Sequence, residues 1–285
     1  MTPASGVEVD WYVHGLRLAG LSWGNPGSSP VLCLHGWLDN AASFAMLGPL
    51  LHGCHAVAPD LTGHGKSARR SADATYQIWD DLPEVLGVVE ALGWERFSLM
   101  GHSRGAVIAS LFAATFPERV DRLVLLDAVG PEPVPESEFP VQMRRFLQDK
   151  GRLLERDNRV FATVEEAIAS RSEAGISASA ATLLAERNLQ PCEGGVTWRT
   201  DPRLHGASAV KLTEGQVQAV LQALAMPTLL LLAEGGLGGR HPEVAATAER
   251  SIRLLEMERV AGGHHFHMET PLDTVADRIG GFLAP

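Results

Sequence analysis

The chain has 285 residues, of which 45% are hydrophobic and 20% charged, and a formal net charge of −10. This describes a globular protein with one large core, or a core plus a small inserted domain. An acidic surface repels phosphates, so nucleic acid is not an expected partner. The three cysteines, Cys33, Cys54 and Cys192, are odd in number and widely spaced. They fit neither a disulfide framework nor a cysteine zinc site, and a reducing cytoplasm is the expected location. The N-terminal stretch lacks the basic start and apolar segment of a signal peptide. The longest apolar run, Ala223 to Ala233, is broken by Pro227 and too short to span a bilayer, so no membrane association is expected.

In chain order, Val7 to Val13 and Leu16 to Trp23 read as an antiparallel pair turning at Gly15. Pro30 to Leu34 is a short buried strand, Ala41 to Leu51 a helix, and His55 to Ala58 the next strand. Tyr76 to Leu92 is a long amphipathic helix stopped by Gly93. Phe97 to Gly101 is a strand, Arg104 to Phe116 a helix and Arg122 to Leu126 the sixth strand. A Pro-rich linker, Gly130 to Pro135, then breaks the rhythm. From Phe139 to Leu224 the pattern is mostly helical, with a capping box at Thr163 and Glu166. Strands return at Thr228 to Ala233 and Arg253 to Met257. Thr270, Pro271 and Asp273 open a final helix. Alternating strands and helices mean a mostly parallel sheet flanked by helices. The expected organisation is an α/β core over residues 1–130 and 225–285, with a helical cap at 131–224.

Gly101-His102-Ser103-Arg104-Gly105 is a G-x-S-x-G between a strand and a helix. That context makes it a nucleophile elbow: a sharp turn exposing the Ser103 hydroxyl at a helix N-terminus that favours negative charge. An acyl-transfer intermediate needs two N–H donors on its oxygen. The backbone N–H groups of Arg104, next after the serine, and of Trp37, just past the His35-Gly36 turn, are the candidates. His35 itself reads as a turn residue bonding locally. The indole of Trp37 is expected to pack beneath the insertion.

His35-Gly36-Trp37, Asp60-Leu61-Thr62-Gly63-His64-Gly65-Lys66-Ser67, the Ser103 motif and Gly263-His264 fall in an order that resembles the α/β-hydrolase superfamily. Gly36-Trp37-Leu38-Asp39-Asn40, Leu125-Leu126-Asp127 and His264-x-x-His267-Met268 are similar to its serine hydrolase-like proteins. The resemblance implies an α/β-hydrolase fold with a cap after the sixth strand, and ester-type hydrolysis. It also implies His264 as the base, seven residues before Pro271; His267 is the runner-up, and otherwise a hydrogen-bonding support. In the superfamily the acid usually follows the strand read as Thr228 to Ala233, but the expected position, about Gly236, holds glycine. The alternatives are Asp127, at another acid position of the superfamily, and Glu234.

The reading is a serine hydrolase acting on a small-molecule carboxylic ester through an acyl-enzyme, with no cofactor and no metal. Three histidines on one short loop seldom converge on one ion, and no carboxylate stands at the spacing of metalloprotease motifs. Thioester or carbon–carbon hydrolysis by the same triad, and a non-catalytic ligand binder, are the alternatives. Gly65-Lys66-Ser67 fails as a P-loop because Asp60 stands where glycine is required, and Asp60 reads as a brace for its loop. Trp198 to Arg203 reads as a clamp between cap and core, with a substrate contact as the alternative. The insertion is expected to close over the site with apolar groups such as Phe139, Phe146, Leu183 and Leu184. Arg104 either brings positive charge to the mouth or points away.

Overall fold

The structure, a computed structural model, describes residues 6–173, 175–269 and 272–284. Val7–Val13 (β1) and Leu16–Trp23 (β2) pair antiparallel. His14 and Gly15 between them have φ of 49° and 80°, the two positive values of a type I′ hairpin turn. Ser29–Leu34 (β3) and Cys54–Pro59 (β4) follow, then helix Leu82–Ala91 (α1), Phe97–His102 (β5), helix Arg104–Thr115 (α2) and Val120–Leu126 (β6). The chain then leaves the sheet through Phe139–Leu154 (α3), Val160–Phe161 (β7), Val164–Ser172 (α4), Ala178–Asn188 (α5), Leu189–Cys192 (β8), Gly195–Trp198 (β9) and Glu214–Gln222 (α6). It returns as Thr228–Ala233 (β10), short helices Leu237–Arg240 (α7) and Pro242–Ser251 (α8), Leu255–Val260 (β11) and Leu272–Leu283 (α9).

The eight-stranded sheet has the order β1-β2-β4-β3-β5-β6-β10-β11, and all of its neighbours from β4 onward are parallel. Each central strand is apolar on both faces, as a covered parallel sheet requires. Leu32, Leu34, Leu99, Leu123, Leu125, Leu230 and Leu232 pack toward α1, α2 and α8. The intervening Val31, Cys33, Met100, Val124, Leu126, Leu229 and Leu231 pack toward Phe44, Phe266 and α9. From β3 the chain steps one way to β4 and later the other way to β5. The crevice at the C-terminal ends of β3 and β5 is therefore the switch point where such sheets bind ligands.

The structure differs from the sequence reading in four places. Ala41–Leu51 is two 3₁₀ turns, Ala41–Phe44 and Gly48–Leu50, because Pro49 disfavours helix at the residue before it. The long helix starts at Leu82 after a 3₁₀ turn, Ile78–Asp81, since Pro83 is tolerated in the first turn of a helix and not inside one. The last strand lies at Leu255–Val260, later than Arg253 to Met257. Residues 131–224 contain, besides four helices, an antiparallel sheet of order β7-β9-β8. Its strands of two to four residues are too short to display a period. The α4 capping box is present in modified form: Thr163 accepts from the N–H of Glu166, and the Glu166 carboxylate accepts from Ala162. Thr270 and Pro271 lie outside the described residues; Asp273 is in the first turn of α9.

Candidate active site

Ser103 links β5 to α2 with φ 52° and ψ −118°. This is a region that costs a non-glycine residue about 1–3 kcal/mol and persists only where its surroundings enforce it. Here the surroundings are close. A Cβ on Gly105 would lie 2.0 Å from the carbonyl oxygen of Leu34, and one on Gly101 would lie 2.3 Å from that of Gly105. The two glycines let α2 start directly against β3 and β5. The Ser103 N–H donates to Leu126 O at 3.0 Å, tying the turn to the end of β6.

The loop after β3 approaches the same point. A Cβ on Gly36 would sit 3.3 Å from Ser103 Cβ, so the backbone at Gly36 passes close to the Ser103 turn. Arg104 N–H is the first of α2, whose opening N–H groups have no acceptor inside the helix. His35 is buried; its Nδ1–H donates to Gly36 O and its Nε2 accepts from the N–H of Leu61. It is the locally bonded turn residue expected. The Trp37 indole is 47% exposed. It donates to Leu204 O at 2.9 Å and stands edge-on to His205. It therefore lies against the insertion and is left half exposed rather than packed beneath it.

His264 follows β11, and its Nδ1 lies 2.7 Å from Asp127 Oδ2. Asp127 ends β6 with φ 55°, a left-handed conformation that aspartate tolerates better than most residues. Its carboxylate also accepts from the N–H groups of Ala233, Leu237 and Gly238 at 3.0, 2.7 and 3.1 Å. Burial pushes its pKa up, but the bonds from His264 and these three amides bring it below the usual aspartate value. Since the carboxylate is ionised and accepts at Nδ1, that nitrogen carries the hydrogen and Nε2 is left to accept a proton.

The glycine at 236 has a direct explanation. A Cβ there would lie 2.1 Å from Asp127 Oδ2. The carboxylate arriving from β6 fills the space that an acid on the β10 loop would need. Glu234, the alternative acid, is exposed, and among the described residues its carboxylate makes no hydrogen bond to His264. Likewise, no hydrogen bond joins Ser103 Oγ to His264 among the described residues; such contacts are commonly long before substrate is engaged.

The surrounding groups are braced. Asp60 accepts from the N–H groups of Ala41 and Lys66 and from Arg187 of α5, supporting two loops as expected. Asp201 accepts from the Tyr76 hydroxyl, and Arg203 donates to Ser71 O and Arg70 O, so Trp198–Arg203 clamps the insertion to the core. The Arg104 guanidinium is paired with buried Asp81 at 2.5 Å, which neutralises the positive charge considered for the mouth. Ser43 holds His267 Nε2 at 2.8 Å. Sequence reasoning gave no role to Asp39, His102, Arg171 or Asp81. Asp39 stands in the Gly36–Asn40 stretch and His102 at a free position of the serine motif, whereas Arg171 and Asp81 belong to no motif and are found only through their ion pairs with Asp39 and Arg104.

A cavity of about 460 Å³ opens beside Ser103 and Asp127, walled by Val107, Val129, Leu237 and by Val217 and Leu221 of α6. The apolar wall expected from the insertion thus comes from α6. Phe139 is half exposed and Phe146 lines a separate small pocket, because α3 packs on the Tyr76 side. Leu184 faces a second cavity, of about 320 Å³, with Leu38, Arg171 and Trp198, and Leu183 packs partly buried nearby. No described helix is long and apolar enough to cross a membrane.

Residues 29–271 match the family model of the α/β hydrolase fold. The chain is 34% identical to a serine hydrolase-like protein of Danio rerio, with 94% of this chain and 86% of that one aligned. It is 33% identical to serine hydrolase-like protein 2 of Homo sapiens, over 94% and 90%. Among solved structures, it is similar to a hypothetical protein of Pseudomonas aeruginosa (TM-score 0.93, 39% identity, covering 98% of this chain and 99% of the other). It is also similar to a thioesterase domain from the curacin biosynthetic pathway (TM-score 0.86, 25% identity, 98% and 99%). With the eight-stranded sheet, the serine elbow and these relatives together, the chain belongs to the α/β hydrolase fold family and is a hydrolase of its serine hydrolase-like branch.

Proposed function

We propose that this protein cleaves carboxylic esters with small to medium apolar acyl groups through an acyl-enzyme on Ser103. Ser103 Oγ attacks the carbonyl while His264 Nε2 takes its proton; Asp127 steadies the imidazolium that forms. The oxyanion is held by the backbone N–H groups of Trp37 and Arg104. The leaving alcohol takes the proton back, and a water activated by His264 then releases the acid. Residues 131–224 act as a cap whose α6 walls the acyl cavity. That volume lies toward the lower end of the range for small-molecule sites, which favours compact acyl groups over long-chain lipids.

The observation that carries the reading is the 2.7 Å contact of His264 Nδ1 with Asp127, beside a serine in a strained elbow. The likeness to a thioesterase domain favours thioesters as a second substrate class for the same residues. The test is turnover of p-nitrophenyl esters graded by acyl length. Short to medium chains should be preferred, and Ser103→Ala should fold normally and lose turnover. Wild-type turnover in Ser103→Ala refutes the nucleophile, and clear preference for emulsified long-chain triglyceride refutes the substrate class.

A further inference from the structure

Three loops bring a second group of side chains together behind Ser103. Asp39 comes from the turn after β3, His102 is the last residue of β5, and His265 follows His264. Asp39 Oδ2 is 3.7 Å from His102 Nδ1 and 3.2 Å from His265 Nε2. The three atoms lie within 4.8 Å of one another.

The protonation of His102 is fixed by its other nitrogen. Nε2 is 2.8 Å from the carbonyl oxygen of His264. A carbonyl only accepts, so Nε2 carries the hydrogen. With the hydrogen on Nε2, the lone pair of the neutral ring is on Nδ1. That lone pair faces a carboxylate oxygen. Among the described residues, Nδ1 of this fully buried ring has no hydrogen-bond partner. Two acceptors turned toward each other in a buried site call for an electropositive centre between them.

We propose that Asp39 Oδ2, His102 Nδ1 and His265 Nε2 form a binding site for a divalent transition-metal ion of the zinc type. Tetrahedral zinc with bonds of about 2.0–2.1 Å sets its ligand atoms about 3.3–3.4 Å apart; two of the three edges, 3.2 and 3.7 Å, bracket that value, and the third, between the two rings, is within 4.8 Å. Gly36 keeps the space open, since a Cβ there would lie 2.9 Å from Asp39 Oδ2 and 3.0 Å from His102 Nδ1. To ligate, His265 moves its hydrogen from Nε2 to Nδ1, which has no partner among the described residues. No net proton is released.

Arg171 of α4 is paired with the other oxygen, Asp39 Oδ1. A dication beside that guanidinium creates an excess of buried positive charge. The fourth position therefore suits hydroxide, chloride or another small anion, and Arg171 limits affinity. A bound ion ties together the oxyanion loop, the nucleophile turn and the His264 loop, and so stabilises the fold by mass action.

The test titrates zinc chloride into metal-free protein by calorimetry, in a buffer that does not bind zinc; no turnover enters it. One ion per chain is expected. Asp39→Asn and His265→Gln should each weaken binding by at least about a hundredfold, the upper end of the 10–100-fold typical of losing a supporting partner. Arg171→Gln should tighten it, and His264→Ala should leave it within a few fold. Cobalt(II) bound to the wild type should give the intense visible bands of a tetrahedral centre, a readout that stands if a variant does not fold. Unchanged affinity in both Asp39→Asn and His265→Gln, loss of binding in His264→Ala alone, or no tightening in Arg171→Gln overturns the site. So does an octahedral cobalt spectrum, or no binding by the wild type.

Discussion

Two buried aspartates each face a histidine of the loop after β11, and they are held in different ways. Asp127 receives three backbone N–H groups and a histidine Nδ1 at 2.7–3.1 Å. All four donors converge on a rigid strand end, so the carboxylate has one orientation. Asp39 receives no comparable set: its contacts to His265 and His102 are 3.2 and 3.7 Å, and its firm partner is Arg171. Backbone amides cannot move without unfolding the turn, whereas a guanidinium and two imidazole rings can. On the proposed reading, the first aspartate keeps one imidazole aligned and the second accepts a change of partner.

The largest expected difference is in turnover. In a serine triad, losing the acid's charge can cost about four orders of magnitude. Asp127→Asn should fall on that scale with its fold retained, while Glu234→Gln stays near wild type. Asp39→Asn, which touches neither Nδ1 of His264 nor Ser103, should stay within about tenfold. A reversed ranking on one ester at one pH would reassign the acid. Next comes Gly236→Ala. Its Cβ would enter the space of Asp127 Oδ2, and overpacking of this kind costs about 1–3 kcal/mol. A carboxylate displaced by about 1 Å can lower turnover about a hundredfold. Denaturant unfolding and kcat together measure both; a silent Gly236→Ala would mean that the carboxylate is free to move.

The pH dependence of stability separates the sites further. Asp39 is held well below the ordinary aspartate value: burial opposes ionisation, and the contact with His265 and the Arg171 guanidinium reverse it. A depressed carboxylate adds stability that is complete above its unfolded value near about 3.9 and lost as pH falls through the folded value. The thermal midpoint should therefore drop below about pH 4, and Asp39→Asn should flatten that limb. Glu84, beside Arg70, has the opposite sign. Burial, the leading influence, pushes it up to about 7, so its contribution is complete below about 4.3 and lost as pH rises through 7. Glu84→Gln should gain thermal stability relative to wild type between pH 5 and pH 8. This is the smallest of these effects, because the 2.5 Å pair with Arg70 is lost with it.

The sheet was legible because its strands are long enough to carry a pattern and end in motifs with one geometric solution. Gly101 to Gly105 could only be a strand–turn–helix, and the crowding at Leu34 explains why glycine stands at 105. The vacancy at Gly236 pointed toward Asp127, but the reason, a shared volume, needed coordinates. The small sheet in the insertion was illegible because strands of two to four residues have no period. The Asp39–His102–His265 group was illegible for another reason. Its members stand 63 and 163 positions apart along the chain, and proximity set by the sheet order leaves no local signal. His265 is one of three histidines on one short loop, and nothing in that loop's sequence marks it as the one that meets Asp39 and His102 from two other loops.

The most direct test of the central assignment is covalent labelling by a fluorophosphonate probe, mapped by peptide mass spectrometry in the wild type and in Ser103→Ala, His264→Ala and Asp127→Asn. The expected result is a single adduct on Ser103, absent in Ser103→Ala, nearly absent in His264→Ala and strongly slowed in Asp127→Asn. An adduct on another residue, or equal labelling rates in all four proteins, would contradict a nucleophile at Ser103 activated through His264 and Asp127.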